Sequence, residues 1–306
     1  MPQHRTPLTA HPAFAAFAPW IFVLLWSTGF IGARYGLPYI EPFTFLLIRF
    51  IIIVTLLLGL ALVLRVPWPR REQLGHIAVV GLLLHGGYLG GVFYAIDHGM
   101  SAGIASLIVS LQPILTAVLA QITLREPVAI RQWIGLLLGF AGASLVLLEK
   151  LIAPTAGGVV ITIPTLIAIV IALFSTTGGT LYQKRHGGSM PLITGTLVQY
   201  IAAGALVLIP AFTLEQRVIT WTPQLLFALS WLVLVLSLGA ILLLMLLIRA
   251  NSSARVTSLF YLVPPATALE AYFIFGERFG LMAIGGLILA SVGVALVVAA
   301  PNSSGR

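Results

Sequence analysis

His85 lies at the middle of the third long apolar stretch of this chain, and Tyr88, three residues on, shares its helical face. Gly86, Gly87, Gly90 and Gly91 flank the pair and would let another helix approach closely. In a membrane, an ionisable side chain at that depth usually faces a cavity, because a charge at the bilayer centre costs at least ~2.5 kcal/mol. Cavity lining is the preferred reading of His85, and a satisfied structural histidine is the alternative. Arg49 stands about 10 Å into the second stretch, counting ~1.5 Å per residue from Pro42. It keeps its charge and needs a carboxylate or several carbonyls nearby. Fixing helix ends is its simpler role, and holding a substrate carboxylate is the other. Glu270 is the acid well inside a stretch, where it could pair with Arg49 or carry a coupling proton. The pairing would explain two costly charges at once.

Prolines add a second kind of chemistry. A proline inside a helix removes one hydrogen bond and frees the carbonyl four residues earlier. Pro113 would free Val109, while Pro264 and Pro265 would free Phe260 and Tyr261. These positions read as bends that shape a central site, with a packing kink as the equal alternative. The remaining mid-depth polar and aromatic residues are Trp26, Thr28, Gln112, Thr176, Gln199, Tyr200 and Tyr261. Trp26 is too deep for an interfacial belt, whereas Trp68, Trp133 and Trp221 suit one. The expected substrate-binding set is Trp26, Thr28, His85, Tyr88, Gln112, Thr176, Gln199 and Tyr261, a sparsely polar, aromatic lining suited to small amphipathic solutes.

The elements that must position these residues follow from composition. The chain is 59% hydrophobic and 8% charged, far below the roughly one-quarter charged fraction of soluble domains. Stretches of about 20 apolar residues span a bilayer. Ten are read at 17–35, 43–64, 74–96, 102–124, 128–148, 161–182, 192–212, 225–248, 256–275 and 279–298. They lack the alternation of a barrel strand, so each is expected to be a helix that satisfies its own backbone. With the N-terminus inside, Arg5, Arg65, Arg70, Arg71, Arg125, Arg131, Lys184, Arg185, Arg249, Arg255 and Arg306 are cytoplasmic. Arg34, Lys150, Arg217 and Arg278 are outside, four against eleven. That bias places both termini in the cytoplasm and explains the net charge of +8 without a nucleic-acid partner.

The stretches fall into two groups of five. Gly135-Leu-Leu-Leu-Gly-Phe-Ala-Gly142 aligns with Gly286-Leu-Ile-Leu-Ala-Ser-Val-Gly293 at an offset of 151. Ala105-Ser106-Leu107 aligns with Thr257-Ser258-Leu259, Pro113 with Pro264 or Pro265, and Glu126 with Glu277. The first spans correspond through Trp26-Ser27-Thr28-Gly29 and Phe174-Ser175-Thr176-Thr177-Gly178. Because five is odd, the second group enters the membrane from the opposite side. The expected fold is an all-α membrane protein of ten transmembrane helices, arranged as two inverted five-helix repeats at residues 1–150 and 151–306. The residues 149–160, rich in Gly, Ala and Pro, link them.

These residues resemble the drug/metabolite transporter superfamily and, within it, the ten-span EamA-type exporters. Trp26-Ser27-Thr28-Gly29-Phe30 with Arg34 resembles the first-span signature, and Pro42 with Arg49-Phe50 the second. Ala105-Ser106-Leu107, Pro113, Glu126 and their second-half copies resemble the fourth-span hairpin. The resemblance implies bacterial inner-membrane export of amino acids or related metabolites, with aromatic amino-acid exporters as relatives. The small multidrug-resistance branch carries a glutamate in its first span, whereas residues 17–35 here hold no acid. Its proton-drug exchange mechanism therefore does not transfer.

An intramembrane enzyme would need paired aspartates, a His-Glu-x-x-His pattern or a serine beside a base. The sequence carries none, and no Gly-Lys-Ser/Thr phosphate loop or cysteine site either. No catalytic residue, metal or cofactor is expected. The reading is a secondary transporter, functional as a monomer in the lipid bilayer, that exports amino acids or similar small molecules by alternating access. The alternatives are a multidrug or cation exporter and a passive facilitator.

Overall fold

The computed structural model describes residues 12–100, 105, 108–152, 162–251, 253–263, 266, 270 and 280–299. Its helices are α1 Pro12–Gly36, α2 Pro42–Val63, α3 Arg71–Asp97, α4 Gln112–Thr123 and α5 Ile130–Ile152. The second group comprises α6 Ile163–His186, α7 Leu192–Thr213, α8 Pro223–Arg249, α9 Ser253–Ser258 and α10 Leu281–Val298. Each of the ten expected stretches overlaps one of these helices. By length and composition, α2, α3, α6, α7 and α8 can cross a membrane, while the described apolar parts of α1, α4, α5 and α10 are shorter. The described residues thus form an all-helical membrane fold. Local chemistry sets the helix starts: Pro42, Pro164 and Pro223 occupy first turns, and the Thr162 and Thr222 hydroxyls accept from Thr165 and Leu225 N–H.

The heaviest helix packing runs across the two halves, with lighter contacts within them, such as α2 on α3 and α9 on α10. α2 packs on α7, α3 on α6, α1 on α8, α4 on α9 and α5 on α10. The α2–α7 pair is antiparallel, because each end of α2 meets the opposite end of α7. At one end the Glu215 carboxylate, just beyond α7, accepts from Phe43 N–H at 2.6 Å, Thr44 N–H at 2.7 Å and the Thr44 hydroxyl at 2.7 Å. It thereby caps the start of α2 with a charge suited to the positive helix end. Glu41 reciprocates by accepting from Gln216 and Val218 N–H. At the other end the Thr194 hydroxyl donates to the Pro67 carbonyl at 2.7 Å.

Two of the helices change pitch midway, and at matching places. Residues Leu82–Gly87 of α3 and Leu232–Ala240 of α8 form π turns, in which Tyr88 N–H reaches Leu83 O and Ile241 N–H reaches Leu236 O. Such widened turns are rare and frequently mark functional sites. Counting from the helix starts, α3 and α8 correspond at an offset of 152, so His85 matches Ser237. α2 and α7 correspond at 150, which matches Arg49 with Gln199 and Thr44 with Thr194.

Two details differ from the sequence-based expectation. The stretch around Pro113 is not one bent helix: residues 108 and 109 are helical, Ser110 and Leu111 form a turn, and α4 restarts at Gln112 with Pro113 in its first turn. Proline suits that position because a first-turn N–H lacks an intrahelical acceptor anyway. The Phe260 carbonyl is not free, since the chain tightens into a 3-10 turn over Leu259–Leu262 and Val263 N–H donates to it. Pro264 and Pro265 lie outside the described residues, as does Glu277. At the start of α10 the Glu149 carboxylate accepts from Gly280 N–H at 2.7 Å.

The α5–α10 seam depends on absent side chains. A Cβ on Gly135 would stand 2.6 Å from the Gly293 carbonyl oxygen, and one on Gly286 would stand 2.6 Å from that of Gly142. Backbone atoms cannot yield as a flexible side chain can. Gly142→Leu should therefore force the helices apart and destabilise the protein by at least the roughly 1–3 kcal/mol typical of overpacking. The check is thermal unfolding in detergent micelles, where an unchanged Tm would show that the seam is looser than it stands.

Candidate functional site

A hollow of about 40 Å³ opens where α1, α2 and α3 of the first half meet α8 of the second. From α1 it is lined by Trp26, Gly29 and Ala33, which recur along one helical face. α2 supplies Arg49, α3 supplies Leu84, Tyr88, Leu89, Val92 and Phe93, and α8 supplies Leu236 and Ile241. By volume it holds about three waters.

Aromatic packing fixes its wall. The Trp26 and Tyr88 rings lie nearly parallel, 11° between planes and 6.5 Å between centroids. Behind Trp26, Phe260 meets it edge-on at 5.3 Å, and Phe22 closes the cluster at 5.2 Å from Trp26 and 5.5 Å from Phe260. Edge-to-face pairs of this kind hold a ring in one orientation. Phe260 comes from the second half, so Trp26 is braced by both.

Arg49 is the one charged residue of the described lining, and it is 2% exposed. Its Nε donates to the Ser237 hydroxyl of α8 at 3.0 Å, which anchors the guanidinium on the π turn. Tyr88 and Tyr200 lie within electrostatic range. The expected ion pair with Glu270 does not form. Glu270 instead accepts from the Ser27 hydroxyl at 2.5 Å through Oε1, and its buried Oε2 is unpartnered. The reason is rotational: Ser27 is one residue from Trp26 and so projects about 100° around α1 from it, away from the hollow.

A second buried polar contact occupies the matching place in the other half. His85 Nε2 lies 3.3 Å from Gln199 Oε1, while Gln199 Nε2 donates to Gln183 Oε1 at 3.2 Å. The His85 ring stacks on Tyr200, with centroids 4.3 Å apart. Arg49–Ser237 and Gln199–His85 are therefore the same contact by position: the second helix of one half reaches the π turn of the other half's third helix. Ser237 escaped the residue-by-residue reading, although the 152 offset from His85 was the signal that could have found it.

Of the expected substrate-binding residues, Trp26 and Tyr88 border the hollow together with Arg49. The other expected residues lie elsewhere in the structure. His85 and Gln199 form the buried contact just described. The Thr28 hydroxyl donates to Leu25 O and accepts from the Trp231 indole N–H at 2.8 Å, between α1 and α8. Gln112 donates to the Thr180 hydroxyl at 3.3 Å, Thr180 in turn donates to the Thr176 carbonyl, and the Gln112 Oε1 is unpartnered. Tyr261 is fully buried with its ring against Gly139 of α5. Gly29, Ala33, Leu84, Leu89, Val92, Phe93, Leu236 and Ile241 were missed, because apolar residues on apolar helices carry no sign of which face is turned inward.

Paired antiparallel helices and a small hollow between the halves define a polytopic helical membrane protein with an internal repeat. The chain belongs to the EamA-like transporter family, whose model matches it twice, at residues 13–148 and 163–299. The chain is 28% identical to the uncharacterized transporter YvbV of Bacillus subtilis over 90% of this chain and 88% of that protein. To the uncharacterized inner membrane transporter YedA of Escherichia coli it is 27% identical, over 93% and 91%. A probable amino-acid metabolite efflux pump of Salmonella typhimurium is 25% identical over 91% and 92%. A solved crystal structure superposes with a TM-score of 0.73 at 20% identity, covering 94% of this chain and 96% of that one, and so shares the fold.

His85→Ala or Gln199→Ala leaves a buried partner unsatisfied, and each should destabilise the protein by about 1–3 kcal/mol. The double replacement should cost clearly less than the sum. Reversible unfolding in mixed micelles measures this, and strict additivity would show that the two side chains act independently.

Proposed function

We propose that the chain is a secondary transporter that moves small amphipathic metabolites, amino acids among them, outward across a bacterial inner membrane by alternating access. In this reading it is a carrier and not an enzyme. It works as a monomer of two inverted five-helix repeats, residues 1–150 and 151–306, with both termini cytoplasmic. Membership of a transporter family supports the carrier, and the amino-acid metabolite efflux pump among the relatives supports the substrate. The antiparallel run of α2 against α7 supports the inversion.

The observation that carries the reading is the position of the hollow. Three of its walls belong to the first half and one to the second, so relative movement of the halves changes its size and access. At about 40 Å³ it is too small for a whole amino acid, and a solute enters only when α8 draws away from α1. Leu236 of α8 lies directly over Gly29 of α1, which makes that contact the point of parting.

The test is uptake of a panel of labelled amino acids into liposomes containing the purified protein, with and without an imposed pH gradient. Uptake of aromatic or other apolar amino acids well above that of protein-free liposomes is the expected outcome. Transport of none of them would remove the substrate assignment. Rates that ignore the gradient would identify a facilitator in place of a proton-coupled exporter.

A further inference from the structure

The hollow is electrostatically one-sided. Arg49 is buried there with its Nε on Ser237, and its terminal N–H groups make no hydrogen bond and no ion pair among the described residues. No aspartate or glutamate belongs to the described lining. Glu270, the acid nearest in sequence to the Trp26 cluster's second-half member, is turned to Ser27. A guanidinium buried without a counter-ion is unfavourable unless something negative completes it. Its planar fork matches a carboxylate in two parallel hydrogen bonds. The rest of the wall is apolar and aromatic, and it offers an ammonium group only the Tyr88 hydroxyl and ring faces.

We propose that the hollow takes a small organic carboxylate with a flat apolar body: the carboxylate seats on Arg49 and the body lies along Trp26 and Tyr88. The proposal rests on the hollow being the transport site, and it narrows the substrate from amphipathic metabolites in general to anions and zwitterions bearing a carboxylate. Ser237 is a positioning residue, since its hydroxyl holds Nε and leaves the fork facing the hollow. The α-amino group of an amino acid contributes little to recognition, and amines without a carboxylate are rejected because they meet a like charge. The volume already suffices for a carboxylate, while the ring enters as α8 moves.

The experiment measures equilibrium binding to the purified protein and uptake into liposomes for four probes that share a phenyl ring. They are 3-phenylpropanoate, phenylalanine, 3-phenylpropan-1-ol and phenethylamine. The two carboxylates should bind at least tenfold more tightly than the alcohol and the amine. Arg49→Gln should abolish that preference without weakening the alcohol, and Arg49→Lys should restore part of it. Amine or alcohol binding as tight as that of the carboxylates overturns the proposal, as does absence of binding by every probe or an unaltered preference in Arg49→Gln. Should Arg49→Gln fail to fold, the discrimination among the four probes by the unmodified protein decides the matter. Binding of the carboxylates without uptake would uphold the hollow as a carboxylate site and sink its assignment as a transport site. Uptake of the amine alone would do the reverse.

Discussion

The seam between α2 and α7 is the contact on which the other helices depend. It joins the two halves through their equivalent second helices, and the charges at its end stitch it from both sides. Glu215 caps α2 while Glu41 reaches back to Gln216 and Val218. In a bilayer the hydrophobic effect does little to hold apolar helices together, so close packing and buried polar contacts must do it. From this seam Arg49 and Gln199 extend in opposite senses, each to the π turn of the other half's third helix. The third helices are thereby fixed, and α1 and α6 are placed against them.

Equivalent positions carry different chemistry on the two sides. Where the first half has Arg49, the second has Gln199; where the third helix of the first half has His85, that of the second has Ser237. The neutral pair is closed by Tyr200 stacking on His85 and by the chain of amides to Gln183. The charged pair instead borders open space. His85 Nδ1, Gln183 Nε2 and the Tyr200 hydroxyl are also buried without a partner on the neutral side, but none carries the fixed charge of a guanidinium, which has more donors than one serine can accept. The hollow lies on the side where the unmet donors carry a charge.

The π turns give that arrangement its geometry. A helix of regular pitch turns successive side chains by a fixed angle, and an extra residue in one turn shifts everything beyond it. In α3 the shift lies between Leu82 and Gly87, just before Tyr88 faces Trp26. In α8 it lies between Leu232 and Ala240, and Ser237 falls within it. Carbonyls displaced from their usual partners and local looseness in the ladder come with the same change. Both would suit the helix movements that the proposed alternating access requires.

Composition alone determined that this is a helical membrane protein, because so little charge cannot cover a soluble surface and isolated apolar stretches can satisfy their backbone only as helices. The repeat was legible too, in the glycine spacing of Gly135–Gly142 and Gly286–Gly293, since those residues are needed wherever backbones touch. Depth could also be read: Trp26, Arg49 and His85 were each singled out by their distance from the ends of their stretches, and Tyr88 by its place on the same face as His85. Facing could not. On helices apolar all round, hydrophobic periodicity is nearly silent, so nothing in the one-dimensional order said that Arg49 would meet Ser237 and not Glu270, or that His85 would be sealed against Tyr200. Those choices were made by rotation about each helix axis, which the packing of neighbouring helices and two local changes of pitch fix only in three dimensions.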